Sequence, residues 1–345
     1  MASAWWDGGH KAIALIAWER LTPEERAWVM ERLELHPTKA ELYEPAFKEE
    51  FANAEVSTEM RQRWFFGQTA VWCDLIRRRD GYPNAAEINP KYHRGEWHYT
   101  DLPVFPNAQA KAQMKAVDIE PVMDWKPGMQ APHEGFNSMH TLQRVVHELS
   151  DPKSDKAGAA VNLCWLFHLV GDTHQPCHCA QLFVPGKLES GDRGGNSIHV
   201  FGFKNSNPGL ENDVLHSFWD SLMNGSKNGI TDIAERISPL KQEPQLWAQA
   251  EKLAPITDPR QWLREGHALA VSAVYSPALL ARLAAVEPVN NPGPGKSDKV
   301  MMISMPSGAL ESYISDARKV ARQQVVTAGV RLAEAIKHCV KASSK

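Results

Sequence analysis

The run Cys164-Trp165-Leu166-Phe167-His168-Leu169-Val170-Gly171-Asp172 constrains the fold of this chain more than any other, because it sets a histidine and an aspartate one helical turn apart within an apolar stretch. Such a stretch belongs in a core, and burying both polar groups there is costly unless a strong partner meets them. Pro176 stops the helix, and His178 can turn back toward the same face. The spacing recurs in Leu215-His216-Ser217-Phe218-Trp219-Asp220. Either pair alone reads as a surface ion pair. Two His/Asp faces from two helices offer the mixed nitrogen and oxygen donors that zinc accepts.

Helical periodicity runs through almost the whole chain. His10, Ala14, Ala17 and Leu21 share a face, and Thr22-Pro23-Glu24-Glu25 supplies a cap, a first-turn proline and dipole-matched acids for the next helix. Further helices are predicted over 64–79, 137–149, 156–173, 209–223, 230–237, 243–252, 259–275 and 276–285, with a long last one from Gly308 to Val340. Only Ser197 to Phe203 reads as strand. Loops are expected at Lys126 to Gly135, Pro185 to Gly195 and Glu287 to Lys296; the last precedes a single helix, too little for a second domain. The expectation is therefore an all-α, single multi-helix domain over 5–345, with a short hairpin or strand near 197–203.

Composition narrows the function classes. Of 345 residues, 23% are charged and 43% hydrophobic, ordinary globular usage, and the net charge of -3 lacks the basic footprint of a protein that coats nucleic acid. Any polyanion must be attracted locally. No apolar run approaches the roughly 20 residues of a membrane span, so no anchor is expected. Five cysteines exclude a dense disulfide scaffold. Met1-Ala2-Ser3-Ala4 ends like a secretory cleavage site without the apolar segment before it, which points to residual signal-peptide residues behind an added methionine and to a secreted or periplasmic chain.

Two weaker signals join the His/Asp pairs. Asp74 and Arg77 lie one turn apart among apolar residues, and His98 sits in Glu96-Trp97-His98-Tyr99-Thr100-Asp101; alone, these read as a salt bridge and a structural histidine. In order along the chain, Trp5-x4-His10, His168-x3-Asp172-x5-His178 with Gly171-Asp172 and Gln175-Pro176, Gly194-Gly195-Asn196 and His216-x3-Asp220 resemble the zinc-dependent S1/P1 nuclease family, mainly helical proteins of the phospholipase C/P1 nuclease type.

The resemblance implies three zinc ions: one on Asp74, His98, His168 and Asp172; a second on His10, bridging Asp172 and the amino nitrogen and carbonyl oxygen of Trp5; a third on His178, His216 and Asp220. It implies a phosphodiesterase that cuts single-stranded DNA and RNA, with 3′-nucleotides as a further candidate substrate, to 5′-phosphorylated products with a hydroxide shared by paired zinc ions. Asp172 and Arg77 would be catalytic, Tyr99 and Asp101 would bind a splayed base, and Asn196 would orient substrate or cap its loop. Zinc would keep the site of an acidic, monomeric protein positive. Cys177 and Cys179, beside His178, are read as packing or oxidisable groups rather than ligands, and His174 as a surface residue or one behind the ligands. The alternatives are a zinc-dependent phospholipase C, whose last motif ends in glutamate where this chain has Asp220, and a non-enzymatic protein with structural zinc.

Overall fold

Thr22 shows how directly local chemistry sets the helix boundaries: its hydroxyl accepts from the Glu25 amide and the Glu25 carboxylate accepts from its own amide, closing a capping box. That box separates helix α1 (Asp7–Arg20) from α2 (Pro23–Leu33). The computed structural model describes residues 5–52, 54–77, 82–114, 120–129, 136–202, 212–225, 227–291 and 298–344. Met1–Ala4, His133, Phe203 and parts of the predicted loops at 126–135 and 287–296 lie outside them.

After α3 (Glu44–Phe51), the helix predicted over 64–79 is two pieces, α4 (Thr58–Thr69) and α5 (Trp72–Leu75). The break has a use: the Asp74 amide bonds to Val71 O at 3.1 Å, and the Ala70 carbonyl instead accepts from His168 Nδ1 at 2.8 Å. Like α3, two more short helices that periodicity did not reveal, α6 (Ala85–Tyr92) and α7 (Ala108–Gln113), precede α8 (Ser138–Ser150). Helix α9 (Lys156–Thr173) is capped by Asp155, buried from Leu163 onward, and ends before a 3-10 turn at Pro176–His178.

Of the helix predicted over 209–223, residues 209–211 lie outside the described residues, Asn212–Val214 is strand, and the helix is α10 (Leu215–Ser221). Helices α11 (Ile230–Ile237), α12 (Pro244–Leu253), α13 (Pro259–Leu269) and α14 (Pro277–Ala284) follow close to expectation, α13 running on through a π turn at Ala270–Val274. The last helix, α15 (Ser307–Ser343), is 37 residues long and packs along α1. Buried on nearly every face, α1 forms the centre of the helical core.

Strands are more extensive than the one predicted. A parallel pair joins β1 (Leu102–Val104) to β2 (Ala180–Leu182). A second sheet, ordered β4-β3-β6-β5, contains β3 (Ile198–Phe201), β4 (Asn212–Val214), β5 (Val289–Asn290) and β6 (Lys299–Ser304). Strands of two to six residues are too short to show period-two alternation. The chain remains all-α in its bulk. One large apolar cluster holds α1, α4, α8, α9 and the middle of α15; a smaller one holds the second sheet, α10 and α14.

Candidate metal centre

Helix α9 is the axis of the site. His168 and Asp172 point from its buried face toward His10 of α1, Asp74 of α5 and His98 at the end of the 3-10 turn Gly95–His98. Asp172 divides its oxygens between two sides: Oδ1 is 3.3 Å from His10 Nε2, while Oδ2 is 3.1 Å from His98 Nδ1 and 3.4 Å from His168 Nε2. His168 Nε2 lies 3.9 Å from Asp74 Oδ2, and the His10 and His168 rings stack with centroids 4.0 Å apart. Gly171 makes this possible, since a Cβ there would stand 2.6 Å from His10 Nδ1.

His178 and His216 form a second focus, with their Nε2 atoms 2.9 Å apart and Asp220 Oδ2 3.5 Å from His216 Nε2. Strand pairing brings them there: Thr100 N–H donates to His178 O beside the β1–β2 ladder, and the turn before β3 offers Gly194 O to His216 Nδ1 at 2.6 Å. Gln175 accepts from the Cys177 amide through Oε1, which leaves its Nε2 to donate to Asp220 Oδ1 at 2.6 Å. Trp5 and Trp6 join the two foci, the Trp5 indole donating to Gly171 O at 3.0 Å and the Trp6 amide to Asp220 O at 3.1 Å.

Three histidines have their protonation fixed by their partners. A carbonyl only accepts, so Nδ1 of His168, His178 and His216, bonded to Ala70 O, His98 O and Gly194 O, carries the proton. Each Nε2 then presents a lone pair to its focus, the arrangement of a metal-binding imidazole. Burial pushes the pKa of His168 and His178 down and that of His216 to about 4, so all three rings are neutral. Burial likewise drives Asp172 and Asp220 well above the usual carboxylate range. For Asp74 burial works the same way, but His168, Arg77 and His10 outweigh it and its pKa falls.

A site of neutral imidazoles and carboxyls that resist burial as anions fits a divalent cation, which binds both forms and offsets the charge. Within 4.8 Å of one another lie the ligand atoms of His10, His168 and Asp172, of Asp74, His98 and His168, and of His178, His216 and Asp220. All of these residues are buried, and among the described residues Asp220 Oδ2 has no hydrogen-bond partner.

These foci open onto a cleft of about 220 Å³ lined by Arg77, Tyr99, Asp101, Asn196 and the three histidines 98, 178 and 216. Every predicted catalytic or substrate-binding side chain except buried Asp172 thus lines one cavity. Arg77 Nη1 bonds Asp74 Oδ1 at 3.0 Å. Asn196 caps its loop through Nδ2 to Arg193 O at 2.8 Å, and also faces the cleft. Burial, helped by Asp192, pushes Asp101 up to about 8. Sequence reasoning missed Gln181 and Arg193 in this wall, and Asp192 behind it.

Other expectations change. His174 is not at the surface: it is buried, donates through Nδ1 to Val170 O at 2.7 Å and accepts from Arg331 at 2.9 Å, on the side of α9 away from the cleft. All five cysteines are unpaired and buried, and burial raises the Cys177 and Cys179 thiols, which keeps them inert. Of the unassigned histidines, His140 caps α8 and His267 donates to Pro103 O at 3.1 Å.

The family model described as S1/P1 Nuclease matches residues 5–341, nearly the whole chain, and the chain belongs to that family. No curated relative matches it.

Proposed function

We propose that this member of the S1/P1 nuclease family hydrolyses single-stranded DNA and RNA to 5′-phosphorylated products as a three-zinc enzyme. The observation that carries the reading is the single cleft lined by His98, His178 and His216 of the His/Asp groups, by the Arg77 guanidinium and by Tyr99 and Asp101.

Asp74, His98, His168 and Asp172 would hold one ion, His10 and Asp172 a second, and His178, His216 and Asp220 a third. Zinc bound there supplies an activated water and a Lewis acid for the phosphate oxygens. Everything else falls to the chain. Asp172 would serve two ions, its Oδ1 facing His10 and its Oδ2 facing His98, and Gln175 holds Asp220 by Oδ1, which would leave Oδ2 to ligate. Arg77, steadied by Asp74, offers its planar fork to the charge that grows on the phosphate in the transition state.

Tyr99 would take a base on its ring while Asp101 hydrogen-bonds the base edge. Stacking of this kind requires an unpaired base, so single strands are preferred without a sequence code. Trp5 lies beside Gly171, where its terminal nitrogen and carbonyl oxygen would complete the second site in an exported, trimmed chain. Zinc content of chains beginning at Met1 and at Trp5 decides that point.

Single-stranded DNA and RNA should be cut about five- to 150-fold faster than duplex, the selectivity coming from the roughly 1–3 kcal/mol a stacked base contributes. The assay compares single strands, duplex and phosphatidylcholine with one zinc-loaded preparation. Equal rates on duplex would remove the stacking site, turnover of phosphatidylcholine alone would make the chain a phospholipase C, and no turnover at all would leave a zinc-binding protein.

A further inference from the structure

Arg193 holds a backbone conformation that suits glycine. Its φ is +58°, and it sits among Gly191, Gly194 and Gly195, whose φ values of +79°, +62° and +86° turn the same loop. The loop is locked around it. Buried Asp192 accepts from the Leu182 amide and from the Tyr275 hydroxyl, each at 2.8 Å, and its carbonyl accepts from the Ser197 amide at 2.9 Å. A Cβ at Gly194 would stand 2.3 Å from Cys177 O, and Gly194 O is already committed to His216.

The backbone at 193 is therefore set by its neighbours, and an arginine side chain adds strain to it without helping the turn. The contacts its carbonyl accepts, from Asn196 Nδ2 and from the Asn196 amide, would survive with glycine. The side chain is half exposed, with the Asp298 carboxylate 3.8 Å from its Nη1, and it opens on the cleft. Strain kept where the fold does not need it marks a functional position.

The cleft wall carries two arginines with different partners. Arg77 is bonded to Asp74 and so is fixed beside the ligand side chains. Arg193 stands half exposed on the loop whose Gly194 carbonyl holds His216, in the same wall as Tyr99 and Asp101. A strand whose scissile phosphate lay at the ligands would have a neighbouring phosphate to place, and Arg193 is the arginine of this wall that is not bonded to Asp74.

We propose that Arg193 binds the phosphate neighbouring the scissile one and so makes the cleft prefer a polymer to a substrate with a single phosphodiester. This rests on the nuclease reading above. A charge-assisted contact of this kind is worth roughly a tenfold or greater change in affinity. Lost from a single strand, one phosphate contact makes the slope of log affinity against log salt shallower by about 0.7.

The test compares wild type, Arg193→Gly and Arg193→Lys on short oligothymidylate and on the thymidine dinucleotide, which has only the scissile phosphate. Expected for Arg193→Gly are a KM raised about tenfold on the oligomer, little change on the dinucleotide, a salt slope shallower by about 0.7, and a Tm equal to or above wild type. Arg193→Lys, keeping the charge, should restore the slope. An unchanged oligomer KM and slope, or equal losses on both substrates, would overturn the proposal, as would a lowered Tm in Arg193→Gly, which would make the side chain a structural one. If wild type cuts neither substrate, the nuclease reading fails by itself. Fluorescence anisotropy of labelled oligothymidylate then decides the phosphate contact: weaker binding by Arg193→Gly sustains it and equal binding overturns it.

Discussion

Asp172 concentrates more of the site than any other side chain, since its two oxygens face different histidines at 3.1–3.4 Å. Asp172→Asn keeps the shape but replaces one oxygen with an NH2 that cannot ligate. We expect zinc per chain to fall by more than one ion and turnover by at least about a hundredfold, the loss that even an outer-shell partner can cause. Elemental analysis and a single-strand assay check both, and a full zinc complement would remove the bridging role. A second residue-scale prediction concerns His36, buried outside the ligand set, where burial lowers the pKa to about 3 from its ordinary 6.5. The folded state then keeps the ring neutral while the unfolded chain takes up a proton below pH 6.5, so stability from this group is present above about 6.5 and drains away toward 3. His36→Gln should lose its Cys164 contact at pH 7.5, yet the gap to wild type should narrow by about 1.4 kcal/mol for each pH unit between about 6 and 4. Ligand protonation is common to both proteins and cancels in the difference. Urea unfolding at several pH values measures the gap, and a constant gap would mean that His36 titrates normally.

At the scale of elements, the approach of α1 to α9 at Gly171 sets where His10 sits. Gly171→Ala should favour the helix by about 1 kcal/mol while driving a methyl into the His10 ring 2.6–2.8 Å away. Helix content should therefore hold while zinc held by His10 is lost, and circular dichroism with zinc titration separates the two effects; unaltered zinc affinity would show that α1 can shift freely. The same level explains what the amino-acid order revealed. His168, Asp172, His216 and Asp220 were legible because an i,i+4 relation depends only on helix geometry, and Thr22 and Asp155 announce their caps locally. The break between α4 and α5 was not, because it answers to a distant ring, His168, claiming the Ala70 carbonyl. Gln181 and Arg193 reach the cleft through the β1–β2 pairing and the loop before β3, both made by contacts far apart in sequence. The surface alternative for His174 failed for a related reason: its partner Arg331 lies 157 positions away on α15.

The whole molecule divides its apolar interior into a large helical cluster and a smaller one around the second sheet, and the ligand set spans the division. His10, Asp74, His168 and Asp172 sit on helices of the first; His216 and Asp220 sit on α10 of the second, with His178 in the turn between them. Cations bound there would tie α1, α5, α9 and α10 to one another, and they would favour the native state, which alone brings these side chains together. Each site filled at about 100 times its Kd adds about 2.7 kcal/mol, so three approach about 8 kcal/mol, comparable to the usual 5–15 kcal/mol that keeps a domain folded. Chelation should therefore lower the Tm by roughly ten degrees or more and leave a marginal protein at neutral pH, not merely an inactive one. Because Trp219 is fully buried in the smaller cluster, tryptophan emission should shift to the red as that half loosens, and excess zinc should reverse it. If chelation removes the zinc and leaves both Tm and emission unchanged, the two clusters hold together through their own packing and the ligand set serves chemistry alone.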